Sequence, residues 1–171
     1  ELLARSIRYA IERKRAEERM TYLAQYDQLT GLVNRTLFRD RLIQAMARSK
    51  RLQRPLGLML LDLDRFKAVN DTMGHDVGDF LLKAAADRLK LCVREVDTVA
   101  RMGGDEFTII LEGCSADQDI TVVAQRITES LGEPFDLDPH RPANGVNIGI
   151  TIYPSDDHDI DDLLKHADAA M

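Results

Sequence analysis

The sequence predicts an α+β domain, and three patterns carry that reading. Residues 56–63 are apolar at nearly every position, residues 146–153 alternate, and several longer stretches place apolar side chains three and four apart. The first pattern fits a strand covered on both faces, the second a strand covered on one, and the third amphipathic helices.

Residues 1–25 contain no Gly or Pro, and Arg and Lys alternate there with Glu12, Glu17 and Glu18, which predicts a long exposed helix. Leu3, Ile7 and Ile11 form an apolar stripe that Lys14 and Glu18 interrupt. Such a helix serves either as a dimeric coiled-coil linker that relays a signal or as a plain solvated arm. Residues 27–35 read as a turn, with Gly31 inside it and Asn34 placed to cap the next helix, whose inner face is Phe38, Leu42, Ala45 and Met46. Pro55 and Gly57 bound the apolar strand, which ends abruptly in Asp62 and Asp64.

Gly74 and Gly78 are expected to flank a loop, followed by a helix to about residue 94 with Phe80, Leu81, Ala84, Ala85 and Leu89 turned inward. Residues 98–101 and 107–111 read as the strands of a hairpin turning at Gly103-Gly104. Ile120, Val123, Ala124, Ile127 and Leu131 mark another helix; Pro154 ends the alternating strand; Ile160, Leu163, Leu164 and Ala167 line a last helix. From residue 55 the order is β-α-β-β-α-β plus a terminal helix. This is the ferredoxin-like order, which sets helices on one face of an antiparallel sheet.

The chain has 171 residues, 44% hydrophobic and 30% charged, which fits one folded domain with a short appendage and argues against disorder. A net charge of −6 gives no reason to expect a nucleic-acid polymer as partner. No stretch approaches the roughly 20 apolar residues of a membrane span. Cys92 and Cys114 have neither disulfide-scaffold nor zinc-site spacing and read as reduced thiols of a cytoplasmic domain. The sequence starts inside one apparent helix and stops inside another. The expectation is therefore a piece of a larger signalling protein: a helical linker at 1–25, then a domain at 26–171 with its last helix cut short.

Two acidic constellations carry the chemistry. Gly103-Gly104-Asp105-Glu106-Phe107 places consecutive carboxylates at a tight glycine turn. Alone it is either a solvated acidic turn or a set of oxygen ligands for a hard cation such as magnesium. Asp62 and Asp64 stand where the first strand emerges, and in this strand order Asp62 and Asp105 can meet at one cation. An EF-hand loop starting at Asp62 is excluded, because Lys67 occupies the position that needs Gly. Residues 64–79 mix a cation, amides, a His, acids and glycines, which suits a phosphorylated, base-containing ligand. No G-x-x-x-x-G-K-[ST] loop is present, so phosphates would rely on metal, Lys67 and backbone N–H groups.

These segments make the sequence recognisable. It resembles the GGDEF family of diguanylate cyclases from residue 27 to 171. The resemblance lies in Asp27-Gln28-Leu29-Thr30-Gly31-Leu32-Val33-Asn34-Arg35, Asp62-Leu63-Asp64-Arg65-Phe66-Lys67, Asn70-Asp71-Thr72-Met73-Gly74-His75, the complete Gly103–Phe107 signature, and Ala167-Asp168-Ala169. It implies a nucleotidyl-cyclase or polymerase-palm-like core that condenses two GTP into cyclic di-GMP and two pyrophosphates, across a homodimer with one GTP per subunit. By the same resemblance Asp62, Asp105 and the Leu63 carbonyl would bind Mg2+, two ions per site, with Mn2+ as a substitute. Glu106 would face the metals or assist proton removal. Asn70 and Asp79 would read the guanine edge, His75 would line that pocket, and Phe66 and Lys67 would hold phosphates. A carboxylate at Asp79 would accept from guanine N1–H and N2–H donors that adenine lacks.

Arg94-Glu95-Val96-Asp97, five residues ahead of Gly103, resembles the family's RxxD site, where the product binds and arrests the enzyme. The bland reading is a helix-end Arg followed by a turn Asp. Arg126 is a further candidate contact there. The rival function is a silent GGDEF module that senses GTP or cyclic di-GMP and regulates an attached phosphodiesterase. Two departures stand out. Asn147 occupies a position where the family usually has Ser, with little effect expected, and the family's Lys and Arg beyond the last helix have no counterpart up to Met171. His140, His158 and His166 read as surface histidines, and the acids at 156, 157, 159, 161 and 162 as a solvated loop and helix start.

Overall fold

The computed structural model describes residues 2–115, 117–135, 145–156 and 159–171. Its elements are α1 (Leu2–Gln25), α2 (Arg35–Leu52), β1 (Leu56–Leu63), α3 (Phe66–Met73), α4 (His75–Leu91), β2 (Thr98–Gly103), β3 (Glu106–Leu111), α5 (Asp117–Gly132), β4 (Val146–Tyr153) and α6 (Ile160–Ala170). The strands form one sheet in the order β2-β3-β1-β4, antiparallel at each pairing, so the α+β class and the ferredoxin-like order both hold.

β1 is apolar because both of its faces are covered. Met59, Leu61 and Leu63 point into one core with Leu81, Leu82, Ala85 and Leu89 of α4 and Ile120, Ile127 and Leu131 of α5. Leu56 and Leu58 point into a second core with Phe38, Leu42, Ala45 and Met46 of α2 and Leu163 of α6. Helices on one face were expected; α4 and α5 lie there, whereas α2 and α6, outside the β-α-β-β-α-β unit, cover the other. Close approach of α6 to β4 depends on Gly149, where a Cβ would fall 1.8 Å from the Ala167 carbonyl oxygen.

The segment expected as a loop around Gly74 and Gly78 is helical. Phe66, Val69 and Met73 keep a helical apolar spacing and pack against the first core, giving α3. Gly74 alone, at φ 89°, separates α3 from α4, and Gly78 is buried inside α4. The inner face of α4 is Gly78, Leu81, Leu82, Ala85, Ala86 and Leu89, and this spacing leaves Phe80 outside, 52% exposed. The helix ends at Leu91, short of residue 94.

Asn34 caps α2 as expected, its Oδ1 accepting the Leu37 N–H at 3.1 Å. Asp159 caps α6, accepting the Asp161 N–H at 2.8 Å. α1 is a continuous helix laced by Arg13–Glu17 and Lys14–Glu18 pairs, and Ile7 and Ile11 lie exposed on it. Cys92 and Cys114 are free and buried. His166 is exposed, as expected, while His140, His158 and Asp157 lie outside the described residues. Among the described residues, no helix is long and apolar enough to cross a membrane.

Candidate functional site

The acidic site begins as a consequence of strand register. β1 runs antiparallel to β3 with Asp62 opposite Glu106, and to β4 with Asp62 opposite Asn147. The cross-strand partner of Asp62 is therefore Glu106, and Asp105 sits one residue beyond the pairing, at the hairpin tip. Gly103 and Gly104 make that tip with φ of 140° and 54°, values that a residue with a Cβ rarely adopts. The turn falls at Gly104 and Asp105, because β2 continues through Gly103.

Burial pushes the Asp62 carboxyl above its ordinary value, and repulsion from Asp105, Glu106 and Asp64 adds to the rise. Asp62, Asp105 and Glu106 thus lie near one another at one end of the sheet, with Asp64 close by. Among the described residues no group of three or more His, Cys, Asp and Glu stands close enough together to hold a metal ion as it is. The donor set nonetheless suits a hard divalent cation, which favours carboxylate oxygens and would relieve the repulsion on Asp62. Leu63, the last residue of β1, follows Asp62 directly and is buried.

The tip is also tied to the start of the domain. Arg101 Nη1 donates to both Asp27 oxygens at 3.1 Å, and its Nε and Nη2 donate to the Gly104 carbonyl at 3.0 and 2.8 Å. Asp27 in turn accepts from the Thr30 N–H at 2.9 Å and the Thr30 hydroxyl at 2.6 Å. Burial raises the Asp27 carboxyl, but these donors from Thr30 and Arg101 prevail and hold it below its usual range. Sequence reasoning passed over Arg101; a lone cation in an otherwise apolar strand is the signal that could have found it.

The second group lies on α3 and α4. Asn70 packs so tightly on Gly78 that a Cβ there would lie 1.9 Å from its Oδ1. This brings Asn70 beside the residue preceding Asp79. Asp79, His75 and Lys67 are exposed and Phe66 is half-buried against the core. Arg65 takes a left-handed conformation, φ 60°, which turns the chain from the acidic end of β1 directly into α3.

The Arg94–Asp97 turn has a different internal logic from a free ligand pair. Asp97 accepts the Arg94 N–H at 2.8 Å and the Glu112 N–H at 3.1 Å, so its carboxylate holds the turn. Arg94 remains exposed beside a 420 Å³ cavity lined also by Tyr26, Arg41 and Lys90. Arg126 does not line that cavity; it donates to the Cys92 carbonyl. Asn147, a departure from the family pattern from which little effect was expected, donates its Nδ2 to Asp64 Oδ1 at 2.7 Å.

The fold and this edge define a class: an α+β domain presenting acidic oxygens on a glycine hairpin beside a buried strand. The family model for "Diguanylate cyclase, GGDEF domain" matches residues 24–171, and the chain belongs to the GGDEF family. It is 39% identical over 170 residues to the bifunctional diguanylate cyclase/cyclic di-GMP phosphodiesterase MucR of Pseudomonas aeruginosa, covering 99% of this chain and 25% of MucR. It is 37% identical to the diguanylate cyclase TpbB of the same organism, covering 89% of this chain and 35% of TpbB. The structure of a delta-N mutant of TpbB from Pseudomonas aeruginosa comprising only the GGDEF domain superposes with a TM-score of 0.82 at 37% identity, covering 85% of each chain. The coiled coil and GGDEF domain of DgcB from Caulobacter crescentus, in complex with c-di-GMP, superposes at 0.86 with 26% identity, covering 98% of this chain and 89% of that one.

Proposed function

We propose that this domain is a diguanylate cyclase that joins two GTP into cyclic di-GMP with release of two pyrophosphates. The observation that carries the reading is the strand register: Asp62 at the end of β1 stands opposite Glu106, and Asp105 follows at the glycine tip one residue beyond. Asp62, Asp105 and the Leu63 carbonyl would hold Mg2+, two ions per site, with Mn2+ able to replace it. Divalent cations bound there supply charge that favours the attacking 3′-oxygen and neutralises the leaving pyrophosphate.

The chain's own groups divide the remaining work. Asn70, fixed against Gly78, and Asp79 present acceptors to the guanine edge, and His75 closes that side. Phe66 and Lys67, at the start of α3, hold phosphates. Glu106, opposite Asp62, accepts a proton or a share of the metal. In the reaction two 3′-O–P bonds form as two bonds from α-phosphorus to pyrophosphate break. Two GTP must meet, so the working form is a homodimer with facing sites, and α1 sets whether they face. Arg94, held by the Asp97 turn, binds product phosphate or guanine and arrests turnover. The setting is a cytoplasmic domain of a larger signalling protein, with no nucleic-acid polymer as partner.

A second reading is a silent sensor attached to a phosphodiesterase. It is favoured by 36% identity to the cyclic di-GMP phosphodiesterase NbdA of Pseudomonas aeruginosa, of which the chain spans 20%. Incubation with GTP and Mg2+, followed by chromatography, separates the two. Cyclic di-GMP appears if the domain is a cyclase; bound, unchanged GTP marks the sensor.

A further inference from the structure

We infer that Asn147 is a positioning residue of the cation edge: its amide ties Asp64 back onto β4, keeping that carboxylate out of the donor set formed by Asp62 and Asp105. The inference rests on the cation role proposed above and adds a residue and a control to it.

Asp64 lies two residues beyond Asp62, where β1 gives way to the turn into α3. Left free, an acid there is a further oxygen donor for the same ion. Three contacts hold it elsewhere. Asn147 Nδ2 donates to its Oδ1 at 2.7 Å. The Asp64 N–H donates to the Gly145 carbonyl at 3.0 Å. Its Oδ2 occupies the space of a missing side chain, since a Cβ on Gly145 would lie 2.2 Å away. Asn147 is also the register partner of Asp62, so one residue of β4 stands opposite Asp62 and restrains Asp64.

An amide suits this task. It donates to a carboxylate without adding charge, whereas an acid at 147 would repel Asp64. Cation affinity follows the number of charged ligands and the rigidity of the site. Restraining Asp64 therefore yields a weaker, more open ion site with coordination positions left for nucleotide phosphates.

The test titrates Mn2+ without nucleotide, by electron paramagnetic resonance, into the wild type, Asn147→Ala, Asp64→Asn and the double variant. Asn147→Ala is expected to bind Mn2+ about fivefold more tightly, because Asp64 joins the ion. Asp64→Asn alone stays within about twofold of wild type, and in that background Asn147→Ala has no further effect. Gly145→Ala, which displaces the Asp64 carboxylate from the other side, tightens binding in the same direction. A merely structural role would leave the affinity unchanged or weaken it. Folded Asn147→Ala and Gly145→Ala proteins with unchanged or weaker Mn2+ binding overturn the inference alone, whereas Asp105→Asn, weakening wild-type binding by about tenfold or more, marks the cation role as intact. A wild type that binds no Mn2+ overturns both the inference and the cation role.

Discussion

Arg101 and Asp27 meet as an ion pair across 74 residues of sequence, with Nη1 3.1 Å from each carboxylate oxygen. The same guanidinium grips the Gly104 carbonyl through Nε and Nη2. One side chain therefore joins the turn that follows α1 to the tip carrying Asp105. The adjoining backbone repeats the connection, because the Arg101 N–H donates to the Val33 carbonyl at 2.9 Å.

Asp27→Asn is expected to destabilise the domain by about 1–3 kcal/mol, the range for losing a charge-assisted hydrogen bond. The pH dependence has a definite sign. The folded Asp27 carboxyl lies below its unfolded value of 3.8, so its stabilisation is present above that value and is lost as pH falls through the folded one. Urea unfolding between pH 3 and pH 7 checks this. The gap between wild type and Asp27→Asn should be widest at neutral pH and close on acidification; a gap that is constant with pH contradicts the ion pair.

Gly78→Ala tests the guanine side without touching a proposed contact. In an exposed helix this change usually stabilises by roughly 1 kcal/mol. Here the added Cβ would sit 1.9 Å from Asn70 Oδ1, so Asn70 must move. The expected outcome is a folded protein whose GTP affinity falls about tenfold, one lost hydrogen bond's worth, by calorimetry. Unchanged GTP affinity would remove Asn70 from the site.

Asp79→Ala should narrow the preference for GTP over ATP. The carboxylate pairs with guanine donors and faces adenine with no partner, a difference of about 1–3 kcal/mol per lost bond. Competition binding of the two nucleotides measures it, and a preference equal to wild type refutes the assignment.

Arg94→Ala should relieve product inhibition, raising the cyclic di-GMP concentration for half-inhibition by about tenfold or more, the loss of one charged contact. Asp97→Ala should do the same less directly, by loosening the turn that Asp97 holds through the Arg94 and Glu112 N–H groups. Inhibition curves that coincide with wild type in Arg94→Ala would exclude the site.

Much of this was legible in local sequence. The apolar run of β1 announces a strand covered on both faces, and its acidic end is visible as Asp62-Leu63-Asp64. The paired glycines announce the hairpin, and their positive φ values show why other residues would strain there. What escaped was relational. α3 was hidden because Asn70, Asp71, Thr72 and Gly74 have loop chemistry, although Phe66, Val69 and Met73 carry a helical stripe that packing rewards. Phe80 was misplaced because an apolar residue need not lie on the buried arc of its helix. The Asn147–Asp64 and Arg101–Asp27 contacts join residues that only sheet order and register bring together.

The most direct measurement asks whether Asp62 and Asp105 share one ion. Equilibrium Mn2+ binding is followed in wild type, Asp62→Asn, Asp105→Asn and the double variant, each first shown to be folded by circular dichroism. A shared ion predicts that either single change weakens binding by about tenfold or more and that the double change adds much less than the sum. Fully additive losses, or wild-type affinity in either single variant, would contradict a common cation at the end of β1.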